Sequence, residues 1–274
     1  VVICGGSGRT FAIEIAQKIF GTYLPPKVKE EIQHLLDPER TDGNNIQSHG
    51  AFEDIKTKLR MKGVLPIVIT SSYEHHSNDI TWRKQLCDII LVPFRLVGFM
   101  DLDALENILI KSRVTHRPII CSFSAGSNVT GIKTDVFQLA KLCKNYDAVV
   151  LLDYAGVGTY VPIDLSQRDD QDRLLIDGIY LSTHKFLGGP GSSGILILNR
   201  DMYDGKLEPT HGGGGTVDYV GPSSEVYTLD FGEREKSGTP GILQIIRSAL
   251  AFELKGLMQK DIEKRECEYN QRFF

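Results

Sequence analysis

Short apolar runs recur along the chain at Val1–Cys4, Pro66–Thr70, Ile89–Pro93, Pro118–Phe123, Ala148–Asp153, Gly178–Ser182 and Gly194–Leu198, each closed by turn-forming residues. They are continuous in Val, Ile and Leu rather than alternating, which is the pattern of strands covered on both faces in a mostly parallel sheet. Between them, Arg9–Phe20, Ala51–Met61, Leu102–Lys111 and Thr134–Asn145 carry apolar residues at helical spacing. From Thr239 onward, Ile242, Ile245, Ile246, Ala249, Leu250, Leu254 and Leu257 keep that spacing, with Pro240 suited to the first helical turn. Strands alternating with helices predict a three-layer α/β/α domain around a seven-stranded, mostly parallel sheet.

In such open sheets ligands sit beyond the carboxyl ends of the strands. The residues following the runs are therefore the ones to inspect: "GGSGRT" after the first, "SSYEHHSN" after the second, "SAGSNVTG" after the fourth, "DYAG" and "THK" after the next two. Small and polar residues gather at one end of the sheet.

Composition narrows the class. Of the 274 residues 41% are hydrophobic and 24% charged, enough apolar content for a substantial core and too much for a disordered chain. A formal net charge of −4 argues against a general nucleic-acid or membrane-surface binder, and no apolar run is long enough to span a bilayer. The five cysteines (Cys4, Cys87, Cys121, Cys143 and Cys267) form no CxxC pair and read as reduced thiols of an intracellular protein. The opening "VVICGGSGRT" reads as a core strand and its turn, and the closing "KRECEYNQRFF" as the interior of a helix. A piece of a longer chain is expected, so whether the compartment is cytoplasmic or mitochondrial stays open.

Each candidate group admits a plain reading and a chemical one. The turn holding Gly8, Arg9 and Thr10 leads from strand into helix and is either a phosphate cradle or a structural turn. Phe11 stands where a dinucleotide fingerprint needs its third glycine, and no Gly-Lys-Ser/Thr follows. Asp153 ends the apolar run "AVVLLD", as a cap, a surface residue, or a carboxylate facing a cation. His75 and His76 adjoin in what reads as an extended segment and point apart, so a metal is not expected, and a stacking or structural histidine is. Ser182 and His184 share one side of a strand end, where a hydroxyl and an imidazole suit a phosphate. Lys185 beside them, ahead of a glycine run, offers an amine for Schiff-base chemistry. Pyridoxal 5'-phosphate asks for all of these together: a phosphate site, a carboxylate at the ring nitrogen, a flat stacking group and an amine.

The motifs "YEHHSN", "SNVTG", "LLDYAG", "STHKFLGGPGSSGIL", "HGGGGTV" and "EREKSGTP" occur in this order. With them the chain resembles the class V aminotransferase family of pyridoxal-phosphate enzymes, which includes cysteine desulfurases, selenocysteine lyases and kynureninases, and within it a subgroup with "EHHSN…W" and "HKFxGGPG" signatures. The resemblance implies the large domain of fold type I over residues 1–250. It also implies the start of a connecting helix over 251–274 toward a small C-terminal domain beyond Phe274. It implies that Lys185 binds the cofactor aldehyde and later moves protons at the substrate carbon, that Asp153 pairs with the pyridinium nitrogen, and that His75 stacks on the ring. Asn128 would reach the ring hydroxyl. Gly8, the backbone at Arg9, the Thr10 hydroxyl, Ser182 and His184 would hold the phosphate, and Thr239 would contact the phosphate of a neighbouring subunit in a homodimer. Where desulfurases place Gln or His three residues after the aspartate, this chain has Gly156. The expected activity is that of an enzyme acting on an amino acid, desulfurase- or lyase-like or an aminotransferase. The alternative is a non-catalytic relative kept as a scaffold or assembly subunit.

Overall fold

The computed structural model describes residues 1–36, 50–96 and 98–273; Val97 and Phe274, the last residue of the expected connecting helix, lie outside them. All seven apolar runs form strands: β1 (Val2–Gly5), β2 (Ile67–Ser71), β3 (Asp88–Val92), β4 (Ile119–Ser124), β5 (Val149–Asp153), β6 (Gly178–Ser182) and β7 (Gly194–Leu198). They make one sheet in the order β1-β7-β6-β5-β4-β2-β3. Strands β2 to β6 pair in parallel, while β7 runs antiparallel to both β6 and β1. Reversal of β7 leaves β1 pointing the same way as β6. The carboxyl ends of β1, β2, β4, β5 and β6 therefore all reach one edge, and β7 begins there, with Gly194 opposite both Gly5 and Ser182.

The strand runs are continuously apolar because alternate residues feed two separate cores. On one face Val68, Ile120, Leu151, Tyr180 and Leu196 pack with Ala12, Ile13 and Ala16 of helix α1 (Gly8–Ile19) and with Trp82. On the other, Ile69, Cys121, Val150, Leu152 and Leu181 pack with the helices that follow β3 and β4. Two helices absent from the apolar pattern complete the N-terminal half: α2 (Pro26–Leu36), and, after α3 (Gly50–Met61), α4 (His76–Arg83). Only Asn78 and Trp82 of α4 are buried, too little apolar surface to produce a helical period.

Helix α5 (Leu102–Arg113) is capped by Asp101, whose carboxylate accepts from two N–H groups of the first turn, and α6 (Val136–Lys144) by Asp135. A hairpin of β8 (Val217–Val220) and β9 (Glu225–Tyr227) and the single turn α7 (Phe231–Arg234) precede the long α8 (Ile242–Phe273). Helix α8 begins three residues later than the sequence pattern suggests. Its first turn closes with the Ile245 N–H on the Gly241 carbonyl, which leaves Pro240 outside the helix. It crosses residue 250 unbroken, and Ala251, Phe252 and Lys255 pack on the domain; the Lys255 ammonium donates to the Val161 carbonyl at 2.8 Å. The five cysteines are all free thiols, three of them buried.

Candidate active site

The "CGGSGRT" turn owes its glycines to Phe11 and to β6. A side chain on Gly5 or Gly6 would run into the Phe11 side chain at 2.6 to 2.8 Å, so the residue that breaks the dinucleotide pattern here seals the turn. Gly8 has a φ of +59° and sits so close to the sheet edge that a methyl group there would meet His184 Cε1 at 2.6 Å and Ser182 Oγ at 2.8 Å. The Arg9 N–H, in the first turn of α1, donates to Ser182 Oγ at 2.9 Å. Strand β6 ends at Ser182 and the chain turns through a short 3₁₀ segment, Thr183–Lys185. The expected alternation along a strand thus stops at Ser182. Ser182 and His184 nevertheless face the same glycine, because the turn, rather than the strand, brings His184 round.

Asp153, at the end of β5, is 1% exposed. Its Oδ1 accepts the Ala155 N–H at 2.8 Å, and its Oδ2 accepts from Arg9 Nη1 at 2.7 Å. Burial pushes its carboxyl above the ordinary aspartate value, opposed by the Arg9 charge and the Ala155 N–H. Arg9 is itself 5% exposed. The sequence reading assigned only the Arg9 backbone; the side chain is the cation that the buried aspartate requires. Lys185 remains accessible, yet partial desolvation and the Arg9 charge lower its amine below the usual lysine value, against the pull of Asp153. A lowered lysine holds more of the neutral amine that attacks carbonyl carbon.

His75 is the N-cap of α4 and His76 its first residue, so the segment is a helix start rather than extended chain. The Ser77 N–H donates to His75 Nδ1 at 3.1 Å, which leaves the neutral ring with its proton on Nε2. Desolvation, together with the Arg9 and Lys185 charges, drives His75 down to about 4. His75 is therefore uncharged at neutral pH, as a stacking ring should be.

This shift has a stability consequence. Between pH 6.5 and about 4 the unfolded chain protonates His75 and the folded chain resists. Stability is whole above 6.5 and falls as pH drops through that window. His75→Phe should fall less over the same window in thermal melts. Equal slopes for both proteins would contradict the assigned environment.

Glu74 was not singled out by sequence reasoning. Its carboxylate accepts from Ser71 Oγ at 2.5 Å, Asn78 Nδ2 at 2.7 Å, and the Ser124 hydroxyl and N–H at 2.6 and 2.9 Å, tying together the ends of β2 and β4 and the start of α4. Asn78 Oδ1 in turn accepts from Ser122 Oγ and Trp82 Nε1. The "EHHSN…W" spacing is thus a buried hydrogen-bond net that orients His75. The Thr10 hydroxyl lies 2.9 Å from Ser77 Oγ and joins α1 to α4 above the same edge.

Asn128 is exposed and borders, with His75, a cavity of about 450 Å³ that Tyr73, Phe94 and Ile132 also line. A side chain on Gly156 would touch Asn128 Cβ at 3.4 Å, so the two positions face each other. Thr239 is not part of this cluster: it lines a separate cavity of about 510 Å³ with Gly214, Gly215, Lys236 and Gly238. Among the described residues no group of three or more His, Cys, Asp or Glu side chains could hold a metal ion, and no helix is long and apolar enough to cross a membrane.

The family profile described as Aminotransferase class-V matches residues 55–273. A probable cysteine desulfurase of Borreliella burgdorferi is 25% identical over 253 residues, which cover 88% of this chain and 55% of that protein. One from Aeropyrum pernix is 30% identical over 191 residues, covering 67% and 43%. The chain spans about half the length of the curated relatives it matches. Among solved structures, the cysteine desulfurase of Thermococcus onnurineus NA1 superposes with a TM-score of 0.63 at 18% identity, covering 98% of this chain and 76% of that one. The desulfurase CsdA of Escherichia coli does so with 0.61 at 20%, covering 92% and 72%; both likenesses establish the fold. With the match over residues 55–273, the chain belongs to the class V aminotransferase family, whose members use pyridoxal 5'-phosphate.

Proposed function

We propose that this chain forms the cofactor-binding part of a pyridoxal-phosphate enzyme acting on an amino acid, with carbon–sulfur lyase or desulfurase chemistry ahead of transamination. The observation that carries the reading is the meeting of four unlike groups at one sheet edge: the glycine turn at α1, the buried Asp153, the uncharged His75 and the lowered amine of Lys185. The donor set fits the cofactor. Gly8 leaves room for backbone where the first turn of α1 meets Ser182 and His184, and the residues that would hold the phosphate are Gly8, Arg9 through its N–H, Thr10, Ser182 and His184. Asp153 would hold the ring nitrogen, His75 the ring face, Asn128 the ring hydroxyl, and Lys185 the aldehyde carbon. When bound, the group supplies an electron-withdrawing ring for the substrate's α-carbon. Lys185 then holds or moves the proton at that carbon, and the fixed His75 ring keeps water from one face.

A homodimer with shared sites belongs to the same proposal. Ile242, Leu243, Ile246 and Leu250 of α8 are exposed, an apolar face of the kind that subunit contacts cover. Thr239, standing apart from Lys185 among glycines, suits the phosphate of the partner's site. The proposed division keeps residues up to 250 as the large domain and takes 251–274 as the start of a connecting helix to a small domain. The desulfurase preference rests on the names of the relatives. The test is incubation with pyridoxal phosphate, L-cysteine and a thiol reductant, which supplies the two electrons that turn the sulfur removed from cysteine into sulfide. Sulfide with alanine, or sulfide with pyruvate and ammonia, supports the reading, and keto-acid formation without sulfide moves it to transamination. Bound cofactor with neither product favours the scaffold alternative, against which the joint presence of Lys185 and Asp153 in one cluster speaks.

A further inference from the structure

Asp153 has two oxygens, and both are engaged. Oδ1 takes the Ala155 N–H and Oδ2 takes Arg9 Nη1, in a pair whose side chains are 0% and 6% exposed. Arg9 starts from the first turn of α1, with its N–H on Ser182 Oγ, and its side chain extends to the aspartate. It therefore runs from the phosphate end of the proposed cofactor site to the ring-nitrogen end. A pyridinium N–H would meet a carboxylate whose two oxygens each already accept a hydrogen bond, one of them from a cation, and two cations crowd one buried carboxylate where little water screens them.

Resting on the cofactor reading above, we propose that the Arg9 guanidinium competes with the ring nitrogen of pyridoxal phosphate for Asp153 and so sets how tightly this chain retains its cofactor. For the nitrogen to take Oδ2, the Arg9 bond must break or be shared. A chain without that guanidinium meets no such cost, and its unpaired aspartate gains a cation when the cofactor enters. The same charge lies close enough to Lys185 and His75 to lower both, which places the guanidinium among the groups that would surround the ring.

The test is absorbance titration of purified wild-type, Arg9→Gln, Arg9→Thr and Arg9→Lys proteins with pyridoxal phosphate, each first checked for folding by circular dichroism. Arg9→Gln and Arg9→Thr are expected to lower Kd by about tenfold or more, the size of one released charge-assisted hydrogen bond, with Arg9→Lys close to wild type. The gain should vanish with 1-deazapyridoxal phosphate, in which CH replaces the ring nitrogen, because nothing then calls on Asp153. Without added cofactor Arg9→Gln should melt below wild type, and excess pyridoxal phosphate should narrow the gap.

An unchanged or weaker Kd in the neutral variants, or an equal gain with the deaza analogue, overturns the competition and leaves Arg9 a structural partner of Asp153. If one neutral variant fails to fold, the other, with the Arg9→Lys control, still decides. A borohydride-stable adduct at Lys185 in wild type alongside those negative results would retain the cofactor reading while rejecting this one. No adduct in any protein overturns both.

Discussion

Replacing Lys185 with alanine is expected to leave the protein folded and to abolish the visible absorption that a lysine-bound pyridoxal phosphate produces. Turnover of any amino-acid substrate should fall by at least about 10³-fold, since both the covalent tether and the proton-moving group go with one side chain. Folding should survive because Lys185 is exposed and the turn that carries it is held by others. The Phe186 N–H bonds the Thr183 carbonyl at 3.0 Å, and the buried Thr183 hydroxyl lies within 3.0 Å of Ser192, the Ser193 carbonyl and Ser248 of α8. Absorbance, circular dichroism and turnover on the same preparation check the prediction. A folded variant with an unchanged spectrum would reject Lys185 as the attachment point.

Asp153→Asn carries the second large effect, and it acts on stability as well as chemistry. Arg9 would keep a buried charge with no counter-charge facing it, and removing one partner of such a pair costs about 3 kcal/mol or more. The double variant Arg9→Gln/Asp153→Asn loses both charges, so it should recover part of that loss, and the cycle should show a coupling of about 1 kcal/mol or more. Denaturant unfolding of the four proteins measures it, and additive losses would mean that the pair at 2.7 Å contributes little. Turnover in Asp153→Asn should drop by about 10²-fold or more, because an amide favours the ring nitrogen's protonated form far less than a carboxylate does.

The positions of these two residues were legible in the sequence only in combination. An aspartate closing "AVVLL" reads equally as a cap and a lysine ahead of "FLGGPG" as a solvated side chain, and what set them apart was that both follow strands at the same end of the sheet, with a glycine run behind the lysine. The seven strands were equally readable, since burial on both faces leaves no alternation to misread. Helix α4 was not: two buried residues in one short helix give no period, and its beginning at His76 changes the expected extended "EHHSN" into a cap and a first turn. The roles of Arg9 and Glu74 lay beyond reach for another reason. The Arg9 side chain finds Asp153 144 residues away, and Glu74 finds Ser124 50 residues away. Those partners exist only once the sheet order brings the carboxyl ends of β1, β2, β4 and β5 together. The need for a cation at Asp153 could be inferred from burial alone, but which cation met it could not.

The most direct test of the account is to incubate the purified protein with pyridoxal phosphate, reduce it with borohydride and map the modified peptide. A single stable adduct is expected on Lys185, in the peptide that carries "STHKFLGGPG". An adduct spread over surface lysines, or none on Lys185 with the protein folded, would remove Lys185 as the attachment point.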